Sequence, residues 1–229
     1  MKIFGLEKLS LVDYQDYACA VIFTGGCNFR CPFCHNSGLV DKSVSPINVE
    51  EVIEFLTKRK SLLDAVCISG GEPTLESGLI EFVKEIKELG YMVKLDTNGT
   101  NPEVLEQLIN ENLIDYVAMD YKNSSKNYPM TTGVANIDIN KITKSVDILK
   151  NGKVDYEFRT TIVAEFHNED SIRDMATELS GAKKLFLQKF VENENCISKG
   201  LTPVTKDVAE DWKNILAYNI KEVNLRGYV

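Results

Sequence analysis

The 229 residues carry 26 Lys and Arg against 34 Asp and Glu, a formal charge of −8, with 44% hydrophobic and 26% charged side chains. This is an ordinary globular composition, long enough to bury roughly 70% of the unfolded surface without disulfides. The acidic balance and the lack of a basic run interleaved with aromatics argue against nucleic acid as a partner.

The opening MKIFGLEKLSLVDYQD has no signal-peptide core, and no later window reaches the roughly 18 apolar residues of a membrane span. A cytoplasmic protein without membrane contact is expected, a setting in which clustered cysteines serve metals or catalysis more often than disulfides. ACAVIFT (18–24) reads as the first strand, and TGGCNFRCPFCHNSG (24–38) then places Cys27, Cys31 and Cys34 in one loop. NVEEVIEFLTKRK (48–60) reads as a helix capped by Asn48, and AVCIS (65–69) as the second strand, ending in SGGEP. LESGLIEFVKEIKELG (75–90) reads as a helix with Leu79, Phe82, Val83, Ile86 and Leu89 on its apolar face and Gly90 as terminator. YMVKLDT (91–97) is the next strand, followed by PEVLEQLINENL with Pro102 in its first turn. DYVAMDYK (115–122), VDYEFRTTIV (154–163) and KLFLQKFV (184–191) supply three more strands, with helical segments near 138–150, 168–180 and 205–218.

Six strand–helix units in series, without repeats or an obvious linker, imply an α/β chain with a parallel sheet, treated as a single domain over 1–229. An open doubly wound sheet and a barrel, complete or not, both fit that series. Either places function at the C-terminal ends of strands, where TGGCNFRC, SGGEP, DTNGT and MDYK all begin.

Of the six cysteines, Cys19 and Cys67 sit in apolar strand runs and read as buried thiols, while Cys196 lies in a polar loop without an assigned role. The other three are spaced C-x3-C-x2-C with no second pair, and His35 directly follows Cys34, a poor position for a fourth ligand of tetrahedral zinc. Three thiolates suit a 4Fe-4S cluster with one iron left open, and electron-transfer clusters normally take four, so the arrangement points to chemistry at the cluster.

This spacing, with Phe33 before the third cysteine and just after the first strand, resembles the radical S-adenosylmethionine (SAM) enzymes, and SGGEP resembles that family's GGE-type motif. The resemblance runs from about residue 1 to 190 and implies a partial, TIM-like (β/α)6 barrel open along one side. GCNFRCPFCHN, SGGEPTL, DTNGT and MDYK further resemble the activating enzymes of glycyl-radical proteins, the group that includes the pyruvate formate-lyase activases. Within it, residues 5–36 look most like activators of anaerobic ribonucleoside-triphosphate reductase.

The resemblance implies that Cys27, Cys31 and Cys34 hold the cluster, whose open iron takes the amino and carboxylate groups of SAM. One electron then splits the sulfonium, and the 5′-deoxyadenosyl radical removes hydrogen from a backbone glycine of a partner glycyl-radical enzyme. A reduced flavodoxin or ferredoxin-type protein is the implied electron donor. Phe33 is either a neighbour of the adenine or a loop anchor. Gly70 and Gly71 allow a ligand close to the backbone and Glu72 can accept from the methionine ammonium, although the trio also reads as a plain turn into a helix. Asp96 with Thr97, and Asp120 with Lys122, end neighbouring strands; helix capping is the ordinary role for such an acid. The resemblance instead implies that both acids help hold Na+ or K+ beside SAM, that Lys122 lies near the target peptide, and that Arg159 stands on the SAM side or is simply ion-paired; carboxylates on adjoining strands would repel one another, a cost such a cation removes, with Thr97 and the Ala118 carbonyl as further oxygen ligands. One departure is Phe190, which stands where pyruvate formate-lyase activators carry a histidine. A small-molecule radical SAM enzyme of the modified-nucleoside synthase type is the second reading, and an iron–sulfur carrier or zinc-stabilised binding module the third.

Overall fold

The β-branched apolar runs of this chain all become strands in the computed structural model, which describes residues 1–228. The six expected strands are β2 (Cys19–Thr24), β3 (Ala65–Gly70), β4 (Met92–Thr97), β5 (Tyr116–Asp120), β6 (Asp155–Ile162) and β7 (Lys184–Lys189). Two more flank them, β1 (Ile3–Ser10) and β8 (Glu222–Arg226). All eight lie in one sheet in strict chain order, with β1 antiparallel to β2 and every other pair parallel.

That order decides between the two architectures. A doubly wound sheet reverses its strand order at a switch point, whereas winding in one direction curls the sheet toward a barrel. Among the described residues no reversal occurs and β1 and β8 do not pair with each other, so the α/β barrel is partial and open between its edge strands.

Helices α2 (Val49–Arg59), α3 (Leu79–Glu88), α4 (Pro102–Asn110), α6 (Ile139–Asn151), α7 (Glu169–Glu178) and α8 (Lys206–Leu216) follow the parallel strands, with two short helices, α1 (Ser37–Val40) and α5 (Tyr128–Thr132), in the loops after β2 and β5. Asn48 caps α2 as expected, accepting from the Glu50 amide at 3.0 Å. The helix expected from residue 75 begins only at Leu79, because Pro73–Leu75 form a separate 3-10 turn capped by Glu72.

Strand alternation divides the buried residues between two faces. Ala20, Ile22, Val66, Ile68, Val93 and Leu95 join helix residues such as Leu56 and Phe82 in the large core. The intervening Cys19, Val21 and Cys67 face inward with Tyr14, so both isolated strand thiols are buried. Further round the inner face, β4 to β6 present Lys94, Asp96, Asp120, Glu157 and Arg159 instead of apolar side chains, and this polar sector is where the site lies. Among the described residues no helix is long and apolar enough to cross a membrane.

Candidate functional site

The loop leaving β2 is held in place by backbone contacts from four directions. Gly26 donates to the Leu39 carbonyl at 2.7 Å and accepts from the Glu72 amide at 2.9 Å, while Gly71 donates to Thr24 at 3.0 Å. Further along, Arg30 donates to Thr132 at 2.8 Å, and Ser198 and Ile197 donate to Pro32 and Cys34 at 2.8 and 3.3 Å. The two glycines of SGGEP have a steric reason: a Cβ on Gly71 would stand 2.1 Å from the Gly26 oxygen, and one on Gly70, at φ +123°, 2.3 Å from the Thr24 oxygen. The β2 and β3 loops therefore meet backbone to backbone.

This loop and the strand ends enclose a cavity of about 260 Å³. Cys27, Cys31 and Cys34 line it with Phe33, and Gly70 and Gly71 form another part of the wall. Asp96, Thr97, Asp120, Lys122 and Arg159 close it from β4 to β6. Ser69, Asn98, Thr161 and Gln188, which the sequence motifs do not mark out individually, line it too, as does His35, weighed above only as a zinc ligand. Asn98 was legible only as part of DTNGT; its Nδ2 donates to Asn28 at 2.9 Å and approaches the Cys27 sulfur at 3.8 Å, and the Phe29 amide donates to the same sulfur at 3.4 Å.

Burial pushes the Cys31 thiol up to about 12 and also raises Cys27, so both are protonated at neutral pH until a metal displaces the protons. Among the described residues no three His, Cys, Asp or Glu side chains converge as a single metal ion needs. A cubane cluster asks for something different: thiolates spread around a cavity, one to each of three irons, with N–H groups turned toward their sulfurs. The cysteine loop sets its three cysteines around one cavity, and N–H groups of Phe29 and Asn98 approach the Cys27 sulfur.

Two expectations for this site change. Glu72 is fully buried and does not reach the cavity; its carboxylate accepts from Thr97 Oγ1 at 2.7 Å, from Thr74 Oγ1 and amide at 2.6 and 3.1 Å, and from the Asn98 amide at 2.6 Å. Burial raises its pKa against the opposing pull of these hydrogen bonds. With its oxygens occupied, it is a strut between the loops after β3 and β4, not an acceptor for an ammonium. The monovalent cation also loses its electrostatic reason. Arg159 lies between the two acids, with Nε 2.9 Å from Asp120 and NH1 3.2 Å from Asp96, while Lys94 and Lys122 complete the pairing at 2.6 and 2.9 Å. No repulsion between carboxylates is left for an ion to relieve, Thr97 spends its hydroxyl on Glu72, and Ala118 is fully buried away from the cavity. Neither acid is a helix cap.

Burial alone would raise Asp120, but Arg159 and Lys122 outweigh it and hold the carboxyl at about 2; Asp96 is likewise held low by Arg159 and Lys94. Lys122 is fixed from its backbone, its amide donating to the Tyr128 hydroxyl at 3.1 Å and its carbonyl meeting His167 Nε2 at 2.9 Å. That carbonyl can only accept, so Nε2 carries the proton of His167, which burial keeps neutral. The Lys122 ammonium lies inside the cavity beside Asp120. Phe33 packs on Phe166 with centroids 5.9 Å apart, so it anchors the loop while lining the cavity. Phe190 is fully buried and stacks on His35 at 5.8 Å and 22°, an apolar contact where a histidine would offer a hydrogen bond.

A sequence profile of the radical SAM superfamily matches residues 21–179. A protein of Methanocaldococcus jannaschii, provisionally named a glycyl-radical enzyme activating enzyme, is 40% identical over 195 residues, covering 82% of this chain and 79% of its own length. A Pyrococcus horikoshii protein provisionally named a GTP 3′,8-cyclase is 28% identical over 159 residues, 68% of this chain and 49% of its own. Among solved structures, Streptococcus suis SuiB bound to S-adenosylmethionine superposes with a TM-score of 0.69 over 90% of this chain and 50% of its own, at 14% identity, a likeness of fold.

Proposed function

The chain belongs to the radical SAM superfamily, and from that premise we propose that it is an activase that generates a glycyl radical on a partner enzyme. The observation that carries the reading is the joining, in one cavity, of three loop cysteines and a buried cationic cluster of Arg159 and Lys122. In this proposal Cys27, Cys31 and Cys34 hold a 4Fe-4S cluster, which when bound supplies the electron that splits SAM reductively.

The remaining work belongs to the chain. Arg159 and Lys122 present N–H groups to the carboxylate of SAM, and Asp96 and Asp120, held ionised by those cations, keep their partners in place. Gly70 and Gly71 admit the ligand close to backbone, Thr97 braces the wall through Glu72, and Phe33 closes the loop side. The protein substrate enters where the sheet is open, since a reacting hydrogen must come into van der Waals contact with the attacking carbon. The likeness to the Methanocaldococcus protein supports a glycyl-radical enzyme as that substrate. The resemblance of residues 5–36 favours anaerobic ribonucleoside-triphosphate reductase, with a reduced flavodoxin or ferredoxin-type donor and residues 1–229 acting as one domain.

A second reading, a small-molecule radical SAM enzyme, draws on the likeness to the cyclase. The first test is anaerobic reconstitution with iron and sulfide, followed by SAM and a reductant. About four irons per chain and formation of 5′-deoxyadenosine are expected. Iron-free protein fully active with stoichiometric zinc would overturn the proposal.

A further inference from the structure

Lys94 is a lysine inside the barrel. It precedes Asp96 by two residues on β4, so both side chains point to the inner face. It is buried, its Nζ 2.6 Å from Asp96 Oδ1 and 3.7 Å from the Cys67 sulfur. Lys94 does not line the cavity that holds the cysteines. It lines a second one of about 470 Å³ on the far side of Arg159, which borders both.

From Lys94 the contacts run in a row of alternating sign: Lys94 to Asp96, Asp96 to Arg159, Arg159 to Asp120, Asp120 to Lys122. Three cations face two carboxylates in this row, leaving one positive charge in surplus, since Glu157 near Arg159 is matched by Arg226 at 3.2 Å. Cys67 does not cancel it, because burial keeps that thiol protonated. Lys94 is fully engaged by Asp96, and the row ends at Lys122 in the cavity, so the surplus is available there. With a neutral side chain at position 94, two carboxylates would absorb both remaining cations.

We propose that Lys94 is a positioning residue that balances Asp96 from beneath and so leaves Arg159 and Lys122 with the net positive charge that binds a ligand carboxylate in the cavity. The proposal rests on the functional reading above, in which that carboxylate belongs to the methionyl end of SAM. An ammonium placed where it touches no ligand would then set ligand preference through the row.

The test compares equilibrium binding of SAM and of decarboxylated SAM to the anaerobically reconstituted protein. The ratio of the two affinities isolates the carboxylate, since sulfonium, amine and adenosine are common to both. In Lys94→Met the preference for SAM should fall about tenfold, with iron content unchanged. Lys94→Arg should keep the preference, and Lys94→Met combined with Asp96→Asn, which restores the surplus charge, should recover most of it. If Lys94→Met is too unstable to purify, Lys94→Gln carries the same comparison. An unchanged ratio in the neutral variants, or a loss that the double variant does not repair, overturns the role of Lys94 alone. Failure of the wild-type protein to bind SAM overturns the functional reading itself.

Discussion

At Cys31 burial and ligation pull against each other: the site that raises the thiol to about 12 must also stabilise a thiolate once iron is bound. Replacing Cys27, Cys31 or Cys34 with Ala should therefore reduce bound iron and abolish SAM cleavage. Cys196→Ala should leave both intact, because that sulfur only closes its own turn, accepting from the Asn193 amide at 3.4 Å. Iron analysis with product quantification checks both. Asp120 offers a pH test. Its folded-state pKa of about 2 lies below the ordinary carboxylate value, so the ionised form stabilises the fold fully above about pH 4, and that contribution is lost as pH falls toward 2. Asp120→Asn should flatten this limb of the acid unfolding curve followed by circular dichroism; superimposable curves would deny the pairing with Arg159. Residue roles were only partly legible in the sequence. The cysteine spacing and the acids at strand ends announced themselves, because period-2 alternation and strand termini fix where such side chains lie. Lys94 did not, since a lysine in a strand reads as solvent-facing until the sheet curls over it.

Between elements, the junction of the β2 and β3 loops is the tightest point of the site. Gly71→Ala would push a methyl group into the Gly26 carbonyl, a backbone atom with no rotamer to relieve the clash. Reconstituted iron should drop well below that of the wild type while far-UV circular dichroism is retained; full iron incorporation would show that the junction does not shape the cysteine loop. Glu72→Ala leaves four donors from Thr74, Thr97 and Asn98 without their acceptor and should cost about 2–4 kcal/mol in denaturant unfolding. A loss of SAM affinity at unchanged stability would return Glu72 to the ligand role read from SGGEP. That role failed because a sequence shows a carboxylate beside a cavity but not which way it turns, and the partners that claim it, Thr97 and Asn98, lie 25 and 26 residues away. The six central strands were legible from their apolar runs. β1 and β8 were not: β1 exposes Glu7, Lys8 and Leu9, and β8 fully buries only Val223.

For the whole molecule, the sheet stays open between β1 and β8. The winding that creates this opening could not be chosen from strand–helix alternation alone; it became visible in the unreversed strand order, in agreement with the family resemblance. Delivery of a radical to another protein is read by electron paramagnetic resonance of the reconstituted protein mixed anaerobically with SAM, a reductant and anaerobic ribonucleoside-triphosphate reductase. A glycyl doublet on the reductase, dependent on SAM and absent with Cys31→Ala, is the predicted result. Vigorous SAM cleavage that produces no glycyl doublet on this or any other glycyl-radical enzyme would contradict the claim.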